Sequence, residues 1–420
     1  MSGEDLAHVR RVVDAVWRID GARIVAGVAR LVNDLGLAEE IAQDTLVIAL
    51  ERWPRDGVPD DPGPWLRATA KHRAIDAIRR RARYSEKLAV LGRDAERDRT
   101  DELVDELDDH IGDDLLRLIF TAAHPVLSTD GKVALTLRLL GGLSTPEIAR
   151  AFLIPEATAA QRIVRAKRTL SAAGVEFAMP TPAETAERLG AVLGVVYLVF
   201  NEGYSATSGT DWARPALCRE AMRLGRVLAG LLPEEAEVHG LVALMELQAS
   251  RLPARTGADG RPVLLGDQDR RRWDRLLIRR GLSALDDAES RGGGPYTLQA
   301  AIAACHARAM SADDTDWGRI AALYEVLVYV RPSPVVRLNQ AVAVGKAGNP
   351  ERGLSIADAL GAERALRDYP QLPAVRGELL AELGRRREAA DEFRRAAGLT
   401  RNESERTLFE TRAAELGPAG

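Results

Sequence analysis

The chain of 420 residues contains little cysteine, histidine or aromatic residue: two cysteines, six histidines and 5% aromatics. Cys218 and Cys305 stand far apart and outside any C-x-x-C spacing, which argues against a disulfide framework and against structural zinc. The histidines show no H-E-x-x-H or similar ligand spacing. The sequence therefore offers no cofactor or metal site, and we expect the protein to need neither.

Long apolar runs are missing as well. No stretch approaches the roughly 20 apolar residues of a membrane span, and residues 1–11 are polar rather than typical of a signal peptide. We therefore expect a cytoplasmic protein without a membrane partner. Its length and its 46% hydrophobic content predict two or three domains with real cores. The net charge of −4 means that any affinity for nucleic acid must come from local basic patches.

Residues 143–150 and 157–170 have the pattern of a helix-turn-helix. Ser144 and Glu147 have the S-x-x-E spacing of a capping box, which satisfies amides at a helix start. Pro155 cannot continue the first helix but can open the second. The second helix places Ile163 and Leu170 inward and its basic residues in water. Such a helix can enter the major groove, where its basic side chains reach base edges or phosphates.

Residues 9–90 read as helices, and the charge on two of them differs in sign. The segment 37–50 forms a helix that ends at Trp53-Pro54, and residues 60–64 form a loop before a long helix over 65–83. The long helix carries a basic stripe, made of Arg67, Lys71, Arg73, Arg79, Arg80, Arg81 and Arg83. The preceding helix is acidic, through Glu39, Glu40, Asp44 and Glu51. A basic stripe suits phosphates, whereas an acidic helix repels DNA and suits a basic protein. The alternative is that both are solvated helix faces.

These segments together resemble a known family. Residues 38–44 (A-E-E-I-A-Q-D), 53–54 (W-P), 64–66 (P-W-L) and 73–80 (R-A-I-D-A-I-R-R) closely resemble region 2 of extracytoplasmic-function (ECF) sigma factors. The helix-turn-helix resembles their region 4. The resemblance predicts an all-α fold with region 2 at 1–92, an acidic linker at 93–112, region 4 at 113–175 and a helical domain at 180–420.

The resemblance also implies roles for individual residues. Those that match the helix docking on the β′ clamp of core RNA polymerase are Glu39, Glu40, Gln43 and Asp44. Those that match the segment melting and reading the −10 element are Trp65, Lys71, His72, Arg73, Asp76, Arg79 and Arg80. Those that match the −35 reader of region 4, which also binds the β flap, are Thr158, Gln161, Arg162, Arg165, Lys167 and Arg168.

Two of these positions have competing interpretations. His72 stands where the family commonly has asparagine, and imidazole presents its donor and acceptor differently, so the −10 preference is open. The alternative for His72 is a surface helix residue. Trp65 is a candidate partner for an extruded base, but a tryptophan that opens a helix is more often a core anchor.

Residues 94–114, which include most of the linker, form an acidic block in which Arg97 and Arg99 are the opposing basic residues. Its acids are Asp94, Glu96, Asp98, Asp101, Glu102, Asp105, Glu106, Asp108, Asp109, Asp113 and Asp114. Such a block repels itself and favours an extended or loosely helical segment. It is either a solubilising tether or, as the resemblance implies, a segment that follows the template channel of the polymerase.

The C-terminal half shows a weak repeat. Residues 384–390 align with 348–354 at an offset of 36, near the roughly 34-residue period of tetratricopeptide repeats. We therefore expect a stacked helical solenoid. Two stretches, 199–205 and 267–274, do not follow the repeat pattern. They resemble the C-terminal extension of the sigma-factor group called ECF42. Their acids, Glu202, Asp267, Asp269 and Asp274, form either a metal or catalytic cluster or, as we favour, helix caps and ion pairs.

The leading hypothesis is an alternative sigma factor, not an enzyme, that binds core RNA polymerase and opens specific promoters. The sequence lacks a nucleophile–base pair and a phosphate-cradling glycine loop. The C-terminal domain would modulate activity by packing on regions 2 and 4 or by binding an unknown partner. The alternative is a DNA-binding regulator with a protein-interaction tail that does not dock polymerase. The acidic helix at 39–44 discriminates, since a simple regulator has no need of it.

Overall fold

The computed structural model describes residues 3–88, 111–152, 154–204, 214–257 and 263–416. These residues contain eighteen α-helices and no β-strand, which confirms the predicted all-α fold. No helix among them is long and apolar enough to cross a membrane. The chain forms two compact units, Met1–Val196 and Tyr197–Gly420.

Eight helices begin in the first unit. They are α1 (Gly3–Val32), α2 (Leu35–Asp56), α3 (Pro62–Leu88), α4 (Ile111–Ala122), α5 (Thr129–Leu135), α6 (Thr145–Phe152), α7 (Glu156–Ala172) and α8 (Pro182–Tyr204). A π-helical turn, Thr136–Leu140, continues α5. The predicted linker at 93–112 lies outside the described residues, apart from the two that begin α4.

Helices α1, α2 and α3 pack on one another as a three-helix group. Apolar residues at helical spacing fill its centre, and Val25, Ala42, Leu66 and Ala74 are buried. Gly21 lies in the middle of α1, where a Cβ would stand 2.8 Å from the Trp17 ring. The glycine therefore makes room for the tryptophan without interrupting the helix.

Two predicted boundaries in this group are wrong. Helix α2 does not end at Trp53-Pro54 but runs to Asp56, and Gly57 ends it with a φ of 88°. Pro54 removes one hydrogen bond near the end of the helix, where the last turn and the glycine still satisfy the neighbouring carbonyls. Helix α3 begins at Pro62 and not at Trp65. Prolines are tolerated in a first turn, because those amides have no partner within the helix.

The second unit contains ten further helices: α9 (Pro215–Leu231), α10 (Ala236–Ala249), α11 (Arg275–Ser290), α12 (Pro295–Arg308), α13 (Trp317–Val330), α14 (Pro334–Lys346), α15 (Pro350–Ala359), α16 (Gln371–Glu382), α17 (Arg386–Leu399) and α18 (Glu403–Leu416). Helix α10 is central, since α9, α11 and α12 all pack against it. Ten of its fourteen residues are buried, and nine of these are apolar or glycine while the tenth, Glu246, is paired with Arg226.

From α13 to α18 each helix packs mainly on its neighbours in sequence, as in stacked hairpins. The two segments aligned in the sequence occupy equivalent turns. Gly348 follows α14 with a φ of 97°, and Gly384 follows α16 with a φ of 73°. Both glycines adopt the left-handed conformation that ends a helix, and a new helix begins two residues later. The sequence offset therefore corresponds to a repeated backbone turn, while the tetratricopeptide identity of the hairpins stays a prediction.

The close packing of α10 on α12 predicts the effect of one methyl group. A Cβ at Gly240 would stand 2.7 Å from the backbone nitrogen of Thr297, so Gly240→Ala must displace α12. We expect a loss of roughly 1–3 kcal/mol from overpacking. The matched control is Gly190→Ala in α8, where a Cβ meets nothing within 4 Å and the gain should be up to about 1 kcal/mol. Calorimetric unfolding of the two variants should therefore shift in opposite directions, and equal shifts would contradict this account.

Candidate functional site

Helices α6 and α7 form the predicted helix-turn-helix, and its capping box is present. The Ser144 amide donates to Glu147 Oε2 at 2.8 Å, and the Glu147 amide donates to Ser144 Oγ at 3.4 Å. Partial burial opposes ionisation of Glu147, but the hydrogen bonds from Ser144 prevail and lower the pKa of its carboxyl. Pro155 directly precedes α7, and both Ile163 and Leu170 are buried as predicted.

The predicted −35 residues all lie on α7 but differ in their surroundings. Gln161, Arg165 and Arg168 are exposed, and Thr158 is half-buried. Arg162 forms an ion pair with Asp130 at 2.8 Å. The expectation that every basic side chain of this helix stays in water is wrong for Lys167, which is paired with a residue of α2. The physical reason is that α2 places a carboxylate against this part of α7.

That carboxylate belongs to Glu39, which is only 4% exposed. Arg138, from the π-helical turn, donates from Nε to Glu39 Oε1 at 2.7 Å, and Lys167 forms an ion pair with Oε2. Gln43 donates to Oε1 at 2.8 Å from within α2. A buried carboxylate is costly unless it is paired and hydrogen-bonded, and these partners meet that requirement. We call Glu39, Arg138 and Lys167 the buried ion cluster.

The other predicted docking residues on α2 are more accessible. Glu40 is exposed, whereas Gln43 and Asp44 are half-buried. Asp44 accepts a hydrogen bond of 2.6 Å from Arg73, a predicted −10 residue on α3. The acidic and basic surfaces predicted from the sequence therefore meet at this ion pair.

Helix α3 presents most of the predicted −10 residues to solvent. His72, Asp76, Arg79 and Arg80 are exposed, and Lys71 is half-buried. Trp65 is also half-buried, and its ring meets the Trp53 ring edge to face with centroids 5.4 Å apart. The alternative interpretation of Trp65 as a packing residue is thus supported by its contact, and the role in base capture stays a prediction.

Further contacts join α1 to the helices after the linker. Arg30 pairs with Asp114 of α4 at 3.1 Å, and Arg18 pairs with Glu147 at 3.3 Å. Burial raises the pKa of Asp114, although the charges of Arg30 and of Arg117 oppose the rise. Together with the buried ion cluster, these pairs hold the three-helix group against α4 to α7 within the first unit.

Three of the four acidic residues considered for a metal or catalytic cluster in the C-terminal half have structural partners. Glu202 pairs with Arg214, and Asp269 pairs with Arg271 at 3.0 Å while capping the turn Arg270–Arg272. Asp274 accepts hydrogen bonds from two amides at the start of α11. Asp267 is exposed. Among the described residues, no group of acids, histidines and cysteines is arranged to hold a metal ion.

Arg138 is the residue of this region that sequence reasoning missed. It lies within residues 133–140, where it is the one charged residue in an apolar run. Such an isolated charge in a buried segment is a signal for a buried ion pair, but the partner lies 99 positions earlier in the chain. Arg138 also donates to the Leu143 carbonyl at 3.1 Å, just ahead of the capping box.

Comparison with known families divides the chain into three matched parts. Residues 20–84 match sigma-70 region 2, and residues 117–170 match sigma-70 region 4. Residues 188–289 match a family of unknown function, DUF6596. The first match covers the second part of α1, all of α2 and most of α3, and the second match covers the predicted helix-turn-helix.

One relative resembles nearly the whole chain. The uncharacterized protein R00370 of Rhizobium meliloti (strain 1021) is 47% identical over 383 residues, which are 90% of this chain and 89% of the relative. This chain belongs to the same family as the Rhizobium protein and is an ECF-like sigma factor. Its two sigma-70 regions give it a role in promoter recognition and transcription initiation, with core RNA polymerase and promoter DNA as partners. They point to an initiation factor rather than an enzyme.

The buried ion cluster joins region 2 to region 4 of the sigma factor, so removing Arg138 should separate the two regions. We expect Arg138→Ala to destabilise the first unit by roughly 1–3 kcal/mol, because Glu39 loses its strongest donor. Dyes on Arg52→Cys and Val164→Cys, both exposed positions, report the separation by energy transfer. Cys218 and Cys305 are buried, and burial raises the pKa of the Cys218 thiol to about 12, so neither should take up the dye.

Energy transfer should fall in Arg138→Ala relative to the labelled protein that retains Arg138. The control is Arg150→Ala, which removes the same charge from an exposed position of region 4. Equal energy transfer in the two variants would show that the cluster does not hold the regions together.

Proposed function

We propose that this sigma factor docks on the β′ clamp of core RNA polymerase through α2 and reads the −10 and −35 elements through α3 and α7. The docking residues are Glu39, Glu40, Gln43 and Asp44. The −10 residues are Trp65, Lys71, His72, Arg73, Asp76, Arg79 and Arg80, and the −35 residues are Thr158, Gln161, Arg162, Arg165, Lys167 and Arg168. The protein acts in the cytoplasm and makes or breaks no covalent bond.

The observation that carries this proposal is the separation of charge between two adjacent helices of region 2. Glu40 is exposed on α2, and Arg79 and Arg80 are exposed on α3, which packs against α2. A surface that reads only DNA has no use for an exposed acidic helix, because the acids repel phosphates. A basic protein surface complements the charge of α2, and DNA complements the charge of α3.

We further propose that the described contact between regions 2 and 4 is a closed form of the sigma factor. Glu39 cannot reach a polymerase surface while Arg138 and Lys167 cover it, and Lys167 cannot reach DNA while it is paired with Glu39. Binding of polymerase would therefore have to replace the buried ion cluster with contacts of equal or greater strength. Polymerase binding and opening are then one coupled equilibrium.

Charge reversal of an exposed acid and a half-buried acid on α2 tests the docking proposal. We expect Glu40→Lys together with Asp44→Lys to abolish the capture of core RNA polymerase by the full chain. The two introduced lysines would repel a basic surface on the clamp. Glu51→Lys is the matched control, because Glu51 is an exposed acid of the same helix outside the docking set.

If the wild-type chain binds promoter DNA but captures no polymerase, even after Arg138→Ala opens it, the DNA-binding regulator becomes the better account. If the Glu51→Lys control weakens capture as much as the Glu40→Lys, Asp44→Lys double variant does, docking depends on overall charge and not on the named residues.

The C-terminal unit is proposed to be a tetratricopeptide-like domain that modulates the sigma factor, as in the ECF42 group. The stacked hairpins from α13 to α18 and the equivalent turns at Gly348 and Gly384 support this assignment. Such arrays bury their apolar faces between neighbouring hairpins and leave an extended surface for a partner.

A shortened chain measures the modulation. We expect a chain that ends at Tyr204, and whose helical content circular dichroism verifies, to transcribe from its promoters at a rate several-fold different from that of the full chain. A higher rate would mean that the C-terminal unit inhibits, and a lower rate that it assists. Equal rates would contradict a modulating role.

A further inference from the structure

Three arginines converge on two aromatic rings in the part of the second unit that matches the family of unknown function. The guanidinium of Arg255 lies 3.6 Å from the centre of the Tyr204 ring, and that of Arg251 lies 5.6 Å from the same ring. Arg251 is also 6.0 Å from the Trp273 ring, and Arg270 is 4.9 Å from it. We call these five residues the arginine–aromatic cluster.

Arg270 is a buried cation whose hydrogen bonds all reach neutral oxygens. It is 7% exposed and donates to the carbonyls of His306 at 2.5 Å and Ala309 at 3.0 Å, and to Thr315 Oγ1 at 3.0 Å. In the described part of the chain, no carboxylate forms an ion pair with it, although Asp314 acts on it from a distance. Buried arginines are normally paired with an acid, because desolvation of the charge is costly.

Arg251 adds a second positive charge near Arg270, since burial and then the charge of Arg251 lower the pKa of the Arg270 guanidinium. It is half-buried, and within the described residues its contacts are the faces of the two rings. Attraction to a ring face is weaker than an ion pair and leaves the donors of the guanidinium available. Because the side chain is partly accessible, a solute can approach it from water.

The side chain of His306 experiences the positive charges of both Arg251 and Arg270. Burial and the positive charges of Arg251 and Arg270 together lower the pKa of its imidazole to about 4. The imidazole packs edge to face on Trp317. An anion bound near this imidazole would raise its pKa, because it offsets those positive charges.

Three buried nitrogens at this place lack a hydrogen-bond partner in the described protein: Arg270 Nε, Trp273 Nε1 and His306 Nδ1. Trp273 is 3% exposed, so its indole N–H is a buried donor without an acceptor. Unsatisfied buried donors are uncommon in proteins, and each one costs free energy. Positive charge on Arg251 and Arg270, with an unpartnered donor on each of Arg270 and Trp273, suits an oxyanion ligand.

We propose that the arginine–aromatic cluster, with His306, is a binding site for a small oxyanion, the phosphate or carboxylate group of a metabolite. Arg251 and Arg270 supply charge-assisted hydrogen bonds, Trp273 supplies a further donor, and the rings of Tyr204 and Trp273 confine the group. The inference does not depend on polymerase docking, and its test requires neither polymerase nor DNA.

Thermal unfolding of the full chain tests the site with two probes, inorganic phosphate and succinate, each against sodium chloride of equal ionic strength. The probe that fits should raise the melting temperature by about 3 °C at ten times its dissociation constant. A response to phosphate alone assigns a phosphorylated ligand, and a response to succinate alone assigns a carboxylate.

Arg251→Gln should remove this shift, since it deletes the accessible charge and leaves the bonds of Arg270 in place. Arg272→Gln is the matched control, because it removes the same charge from an exposed position of the adjacent turn. The control should respond as the wild-type protein does.

A second measurement does not depend on any variant. Nuclear magnetic resonance of labelled histidine should show the pKa of His306 rising from about 4 when the fitting probe binds, since an anion stabilises the protonated ring. The proposal is overturned if neither probe changes the melting temperature or the His306 titration, or if Arg251→Gln responds as strongly as the wild type.

Discussion

The carboxylate of Glu39 is almost fully buried, and the arrangement of the whole first unit depends on how its charge is compensated. Region 2 alone offers it a hydrogen bond from Gln43, which carries no charge. The compensating cations, Arg138 and Lys167, both come from the helices after the linker. The position of region 4 against region 2 therefore satisfies the buried acid Glu39, and the ion pairs of Arg18 with Glu147 and of Arg30 with the buried Asp114 strengthen the same contact.

Local patterns in the sequence predicted the local structure well. The spacing of Ser144 and Glu147 predicted the capping box, and helical periodicity predicted the buried faces of Ile163 and Leu170. These features depend on residues three to seven positions apart, where the geometry of one helix fixes the neighbours. The boundary errors at Pro54 and Pro62 have a related cause, because proline excludes the helix interior but is tolerated near an end.

The buried ion cluster was beyond this kind of reasoning. Glu39 and Arg138 are 99 positions apart, and a periodic pattern cannot reveal which acid meets which base across that distance. The sequence pattern therefore predicted a uniformly accessible acidic face on this helix, whereas Glu39 is buried and Glu40 is exposed. The arginine–aromatic cluster was likewise invisible, since its members come from three separate segments and His306 comes from a fourth. The sequence did mark residues 199–205 and 267–274 as unlike the repeats, and both stretches contribute to that cluster or its surroundings.

The ion pair between Asp44 and Arg73 ties an acidic helix to a basic one within region 2. Any protein surface that takes the Asp44 carboxylate for itself leaves Arg73 without its counter-charge, and a phosphate is the natural replacement. Occupation of the acidic face then raises the affinity of the basic face for DNA, and by thermodynamic reciprocity DNA raises the affinity of the acidic face for the protein. A single pair of side chains can in this way impose an order of assembly, with the free factor scanning DNA weakly and the assembled complex holding it.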